Sequence, residues 1–295
     1  MMQRYTRRPD WLKLRPLDSA VLAPMRKILG ELHLNTVCES ALCPNRMICF
    51  SEGTATFMIL GNVCTRNCTF CAVHHGLPEP VDPKEPEHIV EAVEKLKLRY
   101  VVITSVTRDD LPDGGASQFV LVLNALKKHI SDILTEVLIP DFQGSTDSLK
   151  LVIESQPTVL NHNFETVPRL YPEVRPQAQY KRSLALLKQA KIFDPALCTK
   201  SGIMLGLGEE RQEVQNVLSD IRKTGCDFIT IGQYLQPSLH HHPLVRYVTL
   251  DEFEEYGSFA KEIGFTSVSS GPLVRSSFHA ASDYAASKCA TANHT

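Results

Sequence analysis

Short apolar runs alternate with longer amphipathic stretches along most of the chain after residue 55. Apolar runs of about five residues, bounded by polar and turn residues, predict buried strands. The predicted strands are Thr56–Leu60, Tyr100–Thr104, Glu136–Ile139, Thr158–Asn161, Gly202–Leu205, Phe228–Ile231 and Thr266–Ser269. Apolar residues spaced three and four apart predict helices between them. The predicted helices are Pro86–Leu98, Ser117–Ile130, Thr146–Glu154, Tyr180–Lys191, Glu210–Thr224 and Leu250–Ile263.

Strands that alternate with helices are typical of an α/β fold with a parallel sheet and helices outside it. We predict a partial (β/α)6-type, TIM-like barrel, with a doubly wound open sheet as the alternative because periodicity does not show closure. Residues 53–265 are the predicted barrel, between an N-terminal extension (1–52) and a C-terminal extension (266–295). In either fold, ligands bind at the carboxyl ends of the strands.

Composition and charge exclude several classes of protein. The chain has 295 residues, 43% hydrophobic and 22% charged, with a formal net charge of −2, unlike the basic footprint of a nucleic-acid binder. Arg4, Arg7 and Arg8 form a local basic arm, interpreted as solvated, with docking to an acidic partner as the alternative. The sequence contains no apolar run of membrane-spanning length and no apolar signal segment. We therefore predict a cytoplasmic protein with no nucleic-acid or membrane partner.

Nine cysteines are many for a chain in a reducing compartment, where disulfides are disfavoured. Six of them lie between Cys38 and Cys71, which indicates metal binding or catalysis. Cys198 and Cys226 adjoin predicted strands and are interpreted as core residues, whereas Cys289 lies in a small, polar tail.

The first group, here called the barrel triplet, is Cys64, Cys68 and Cys71, directly after the first predicted strand. Three thiolates from one short loop suit an iron–sulfur cluster. They ligate three of four irons, and the fourth keeps the open position that a catalytic metal needs. A zinc site that includes His74 or His75 is one alternative, and a redox pair of Cys68 and Cys71 is another.

The second group, here called the extension triplet, is Cys38, Cys43 and Cys49. It contains no Cys-x-x-Cys pair, which argues against a zinc ribbon. Unpaired buried thiols are the other alternative. Three cysteines within twelve residues, among polar neighbours, favour a second cluster that is again one protein ligand short.

Cys-x3-Cys-x2-Cys after a first strand resembles the radical S-adenosylmethionine (SAM) superfamily. Together with Cys-x4-Cys-x5-Cys before the barrel, it resembles the lipoyl synthase family of that superfamily, over nearly the whole chain. The matching stretches are Cys43-Pro-Asn-Arg46, Gly53–Gly61, Arg108–Leu111, Asp113–Gly115, Asn161–Asn163, Glu165–Val167, Thr199–Gly202, Met204–Glu209, Gly232–Leu235 and Gly271–Ser277.

The resemblance implies two [4Fe-4S] clusters and SAM as cofactors. It implies that the amino and carboxylate groups of SAM bind the open iron of the barrel-triplet cluster, which reduces SAM to give a 5′-deoxyadenosyl radical. It assigns the auxiliary cluster to the extension triplet, with Ser277 of Arg275-Ser-Ser-Phe278 as the remaining ligand and Ser276 as the alternative. The family has Tyr where this chain has Phe278.

The resemblance also implies a set of residues that bind SAM, namely Gly114, Gly115, Asn163, Glu165 and Arg182. The glycines allow close approach of the backbone to the methionine amino group, and the amide and carboxylate suit the ribose hydroxyls. Arg182 is assigned to the SAM carboxylate, with Arg175 as the alternative. Lys200 is interpreted as facing substrate or solvent, and His240–His242 as a surface loop with metal binding as the alternative.

The implied activity is the insertion of two sulfur atoms, at C6 and C8, into an octanoyl chain on a lysine of a lipoyl carrier domain. The auxiliary cluster is the implied sulfur donor. The expected partners are octanoylated 2-oxoacid dehydrogenase E2 subunits, the glycine cleavage H protein, and a flavodoxin or ferredoxin reductant. The alternatives are a biotin-synthase-like sulfur insertion into a free small molecule, and a non-enzymatic iron–sulfur scaffold or electron carrier.

Overall fold

An eight-stranded sheet forms the centre of the molecule. The structure is a computed structural model, and it describes residues 8–12, 18–51, 56–278 and 280–287. The strands are β1 Asn35–Thr36, β2 Thr56–Ile59, β3 Val63–Cys64, β4 His74–His75, β5 Tyr100–Ser105, β6 Leu134–Leu138, β7 Val159–Asn161, β8 Cys198–Leu205, β9 Phe228–Gln233 and β10 Ser267–Gly271. The sheet order is β1-β2-β5-β6-β7-β8-β9-β10, and β3 and β4 form a separate parallel ribbon. All pairs in the large sheet are parallel except β1 with β2.

Amphipathic helices follow most of the parallel strands. The helices are α1 Ser19–Glu31, α2 Val37–Ser40, α3 Arg46–Ser51, α4 Glu85–Leu96, α5 Ala116–His129, α6 Thr146–Glu154, α7 Tyr171–Val174, α8 Tyr180–Phe193, α9 Arg211–Lys223, α10 Leu250–Glu262 and α11 Ala280–Ala285. Helix α9 shows how the sequence specifies them: Val214, Val217, Leu218 and Ile221 form its buried face. Its first turn is closed by a capping box of Glu210 and Glu213.

Strand order follows chain order without a reversal, so the sheet is not doubly wound. Among the described residues, β1 and β10 form its two edges and do not pair with each other. The prediction of a partial barrel is therefore confirmed, with a gap between these edge strands. The predicted elements are close to those observed, but β8 begins four residues before the predicted Gly202. The apolar pattern missed this start because Thr199, Lys200 and Ser201 are polar although they are buried.

The barrel interior is layered. Near the amino ends of the strands lies a small apolar cluster of Val159, Cys198, Phe228 and Tyr284. Above it, Glu136 and Lys200 form a buried ion pair at 3.1 Å, to which Tyr100 and Asn161 add hydrogen bonds. The interpretation that Lys200 faces substrate or solvent is wrong, because β8 directs it inward to Glu136. These two layers close the lower end of the barrel beneath the strand ends that line the cavity.

The extensions flank the gap in the barrel. Strand β1 leads directly into α2, and β10, which falls in the predicted C-terminal extension, is the last parallel strand of the sheet. The predicted boundary after residue 52, Arg4, Arg7 and Cys289 lie outside the described residues. Cys226 is fully buried. Within the described ranges, every helix is too short or too polar to cross a membrane.

Candidate active site

A cavity of about 610 Å³ lies at the carboxyl ends of the strands. Its walls include side chains separated by more than 200 positions in the sequence. The cysteines and serines that line it are Cys38, Cys43, Cys49, Cys64, Cys68, Cys71, Ser276 and Ser277. The structure thus brings the two triplets and the candidate serine ligands to one site.

The loop of the barrel triplet is fixed by backbone hydrogen bonds. Its two ends are held by the β3–β4 ribbon, in which Cys64 pairs with His75. A turn in which the Cys71 amide donates to the Cys68 carbonyl brings the second and third cysteines together. The Cys64 sulfur lies 3.4 Å from the Arg66 amide and 3.3 Å from the Thr107 amide, both of which donate to it. Backbone donors of this kind stabilise a thiolate.

The histidine run contacts the same loop. The amide of His242 donates to the Thr69 carbonyl at 2.8 Å, and His241 Nε2 lies 3.1 Å from the Cys71 carbonyl oxygen. His242 is buried, and its carbonyl accepts a hydrogen bond from Tyr234. The interpretation of this run as a surface loop is therefore wrong for His242, because the turn after β9 packs against the cysteine loop.

Two members of the extension triplet lie on short helices beside the gap, and Cys43 lies between those helices. Cys38 is in α2 and buried, and Cys49 is in α3. Asn45, between the second and third cysteines, donates from Nδ2 to the Leu273 carbonyl at 2.7 Å. This hydrogen bond joins the N-terminal extension to the segment that follows β10.

The two candidate serines lie in one turn. The amide of Phe278 donates to the Arg275 carbonyl at 3.0 Å, which puts Ser276 and Ser277 at the centre of the turn. Gly232 of β9 lets this segment approach the sheet, since a Cβ there would lie 2.2 Å from the Val274 carbonyl oxygen. Both serines line the cavity, so position does not separate them.

The donor chemistry of each triplet fits a cluster better than a single ion. A zinc site gathers its ligands at about 2.3 Å from one point, whereas a cluster spreads cysteines over several irons. Among the described residues, no three Cys, His, Asp or Glu side chains converge on such a point, so the zinc alternative gains no geometric support. Burial raises the pKa of Cys71 to about 12 and that of Cys38 to about 11, so cluster binding must displace their protons.

Two of the predicted SAM residues line the cavity. Asn163 and Glu165 follow β7, and burial raises the pKa of the Glu165 carboxyl. The Oδ1 atom of Asn163 is buried with no partner in the described protein, an acceptor suited to a ligand hydroxyl. Glu165 has a φ of +65°, a left-handed conformation that is costly for a residue with a side chain and concentrates at functional sites. These features fit a polyhydroxylated ligand such as the ribose of SAM.

The other three predicted SAM-binding residues, Gly114, Gly115 and Arg182, do not line the cavity. A Cβ on Gly115 would lie 2.3 Å from Leu60 Cδ1, so this glycine permits close packing where α5 begins. Gly114 lies beside it, against Phe142. Arg182 pairs with Asp141 at 3.1 Å. Gly114, Gly115 and Arg182 remain predictions.

Arg175, the sequence-based alternative to Arg182, does line the cavity. Its Nη1 donates to the carbonyl oxygens of Asn163 and Phe164, both at 2.9 Å, and its guanidinium lies 5.2 Å from the centre of the Tyr171 ring. Its Nε is buried without a partner in the described residues. An unpaired guanidinium donor is suited to a carboxylate.

Three charged residues of the site were not assigned from the sequence. Arg66 and Asp141 line the cavity and form an ion pair at 2.6 Å. Arg275 is half-buried, and burial lowers its pKa against the opposing effects of Cys43 and Glu165. Arg275 also lines the cavity. The sequence feature that could have identified Arg66 was its position inside the Cys64–Cys71 loop.

Comparison with known proteins agrees with this geometry. The model of the radical SAM superfamily matches residues 58–221. Lipoyl synthase of Caldanaerobacter subterraneus subsp. tengcongensis is 55% identical over 274 residues, which is 93% of this chain and 96% of that protein. Lipoyl synthase of Alkaliphilus metalliredigens is 53% identical over 275 residues, which is 93% of this chain and 95% of that protein.

A solved structure shows the same fold at much lower identity. Streptococcus suis SuiB, bound to S-adenosylmethionine, has a TM-score of 0.52 and 12% identity over 82% of this chain and 52% of that chain. At this identity the likeness concerns the fold alone. The full-length relatives, the superfamily match and the shared barrel lead to one assignment: the chain belongs to the lipoyl synthase family of radical SAM enzymes.

Proposed function

We propose that this chain inserts two sulfur atoms, at C6 and C8, into an octanoyl group on a lysine of a carrier protein. One observation carries the proposal: both cysteine triplets and the serine turn line a single cavity at the carboxyl ends of the barrel strands. An electron carrier does not require two sets of cluster ligands that face one cavity. An enzyme that moves sulfur from one cluster to a substrate activated at the other cluster requires both sets.

Within that cavity, Cys64, Cys68 and Cys71 hold the first [4Fe-4S] cluster. When bound there, the cluster and SAM supply the radical chemistry of the superfamily. Asn163 and Glu165 bind the ribose, because their oxygen atoms provide acceptors for a diol. Arg175 is the better placed of the two arginine candidates for the carboxylate, since it lines the cavity and has an unpaired donor.

The extension triplet and Ser277 hold the auxiliary [4Fe-4S] cluster, which is the sulfur-donating substrate. Asn45 supports this arrangement because it ties the cysteine segment to the segment that carries the serine. Ser276 is the alternative ligand. An alkoxide ligand leaves iron more readily than a thiolate does, which suits a cluster that is dismantled during the reaction.

Part of the cavity lining suits an acyl chain. Apolar residues of four barrel strands or strand ends, Met58, Val106, Leu138 and Ile203, line the cavity. The proposed carriers are octanoylated E2 subunits of 2-oxoacid dehydrogenases and the glycine cleavage H protein, and the reductant is a flavodoxin or ferredoxin. Because the cluster thiols must stay reduced, the cytoplasm is the proposed compartment.

Isotopic labelling tests the proposal directly. The chain is reconstituted anaerobically with ³⁴S sulfide, then incubated with SAM, reductant and an octanoyl-lysine peptide. We expect a product that has gained two labelled sulfur atoms, with about one product per chain, since the donor cluster is consumed. A product with unlabelled sulfur contradicts the donor assignment. Conversion of free desthiobiotin-like molecules but not of the peptide favours the biotin-synthase-like alternative, and no SAM cleavage at all contradicts the enzymatic proposal.

A further inference from the structure

Arg66 lies inside the loop of the barrel triplet, and its guanidinium belongs to a largely buried ionic network with Asp109 and Asp141. Its side chain is only 5% exposed. Nε and Nη2 donate to the two carboxylate oxygens of Asp109, at 2.6 and 2.9 Å, and Nη2 also donates to Asp141 at 2.6 Å. This is the planar, two-pronged geometry in which arginine binds carboxylates most strongly.

The carboxylate of Asp141 is presented by a strained turn. Phe142, Gln143 and Gly144 have φ values of +45°, +53° and +87°, and left-handed backbone is unfavourable for the first two. The turn directs the Gln143 amide to one Asp141 oxygen, and Arg182 donates to the other. Burial opposes the charged form of Asp141, but the hydrogen bonds and charge of Arg66 hold its pKa at about 2.

The same network reaches the sulfur of the first cysteine. The Asp109 amide donates to Thr65 Oγ1, and the Thr65 amide donates to the Thr107 carbonyl. The Thr107 amide in turn donates to the Cys64 sulfur at 3.3 Å. The loop that carries Asp109 therefore contacts both Arg66 and the residue at the start of the cysteine loop.

We propose that Arg66 is the positioning residue of the barrel triplet, through its ion pairs with Asp109 and Asp141. A cluster with three protein ligands leaves the shape of its loop less determined by the metal than a cluster with four. Arg66 supplies the constraint on the loop that a fourth protein ligand would give, because it joins the loop to Asp109 and Asp141 after the ends of β5 and β6. Arg182 completes a charge-neutral set of two guanidinium and two carboxylate groups. The inference rests on the assignment of the barrel triplet as cluster ligands.

The test uses the full chain with all three extension cysteines changed to Ala, so that only one cluster gives a signal. In this background, Arg66→Gln removes the charge and Arg66→Lys keeps the charge without the two-pronged geometry. Arg169→Gln is the matched control, because Arg169 makes a similar two-pronged pair with Glu213 at an exposed position. The readouts are iron retention against a chelator and the electron paramagnetic resonance spectrum of the reduced cluster, with and without SAM.

We expect Arg66→Gln to weaken iron retention by about 10- to 100-fold, the range typical of lost outer-shell partners of metal ligands. The spectrum and its SAM-induced shift should also change, with Arg66→Lys intermediate and Arg169→Gln unchanged. If Arg66→Gln does not fold, Arg66→Lys alone decides the matter by the same readouts. Retention and spectra equal to the control overturn the inference. Absence of iron in the unsubstituted barrel triplet instead overturns the cluster assignment itself.

Discussion

The two cysteine triplets line the same cavity but are held in different ways. The barrel triplet lies in a loop joined by backbone hydrogen bonds to the turn after β9 and to α7, and by ion pairs to the ends of β5 and β6. In the extension triplet, Cys38 and Cys49 lie on two short helices beside the gap and Cys43 lies between them. Asn45 joins this region to the segment after β10.

This difference agrees with the different fates that the proposed function gives the two clusters. A cluster that transfers an electron in every turnover benefits from a rigid loop, because its geometry must survive repeated use. A cluster that gives up its sulfur must be dismantled and rebuilt, so its ligands come from separate segments that meet at an edge. Experiments on each side of the cavity test this difference between the two triplets.

The largest effect is expected from removal of the ligands themselves. Replacing any barrel-triplet cysteine by Ala should abolish SAM cleavage, because the reducing cluster cannot assemble. Replacing any extension-triplet cysteine should leave SAM cleavage intact and abolish sulfur insertion. Chromatography of 5′-deoxyadenosine and mass spectrometry of the peptide measure the two activities. Loss of both activities in both sets would show that the two sites are not separable.

The second-largest effect is expected at the buried ion pair of Glu136 and Lys200, near the lower end of the barrel. Lys200→Met leaves the buried Glu136 carboxylate without its ion-pair partner, which should lower the free energy of unfolding by about 3–5 kcal/mol. Urea unfolding of the protein measures it. The double variant Lys200→Met/Glu136→Leu should recover much of the loss, because no buried charge remains. Equal losses in the single and double variants would mean that packing, and not charge, stabilises this layer.

The serine turn should distinguish its two hydroxyls. Ser277→Ala should lower sulfur insertion by on the order of tenfold or more, since loss of even an outer partner of a metal ligand has effects of about this size. Ser276→Ala, one residue away in the same turn, is the matched control and should keep most of the activity. The reverse pattern would transfer the ligand role to Ser276. Iron content of each variant accompanies the activity.

Asn45 tests the link between the two extensions. Asn45→Ala leaves the Leu273 carbonyl without its donor, at a cost of about 1–3 kcal/mol. We expect less iron at the extension triplet and unchanged iron at the barrel triplet, resolved by Mössbauer spectroscopy. Asn216→Ala, on the exposed side of α9, is the control. Equal iron loss at both triplets would contradict the independent support of the two sites.

The smallest effect is expected from Phe278→Tyr, which restores the residue usual in the family. Phe278 is half-buried at the end of the serine turn, and the ring size hardly changes. Activity should stay within about twofold, a difference of less than 1 kcal/mol. A large gain in sulfur insertion would show that the missing hydroxyl matters at the auxiliary cluster.

Sequence patterns alone were sufficient to predict the seven parallel strands of the large sheet, the two cysteine triplets and, among the described residues, six of the seven helices of nine residues or more. Helix α1 was not predicted. Periodicity was sufficient for the elements because each helix has one apolar face and each strand an apolar run. It failed at the start of β8 and for Lys200, where polar residues are buried only because Glu136 compensates them across the barrel. Arg66 was not assigned from the sequence, and Arg182, which was assigned to the SAM carboxylate, pairs with Asp141. In both cases, whether the charged side chain meets a cofactor or a carboxylate depends on neighbours distant in sequence.

Local sequence patterns do not show that the extension triplet and the serine turn meet at one cavity; the family resemblance implied it, and the tertiary structure brings the two together. Within the part of the chain that the structure describes, the sheet does not close, so its edge strands β1 and β10 flank the same gap. The chain enters the extension triplet directly from one edge and the serine turn from the other, and Asn45 hydrogen-bonds to Leu273 between them. Local patterns record which residues form each strand, but the proximity of the two edges results from the twist and curvature of the whole sheet.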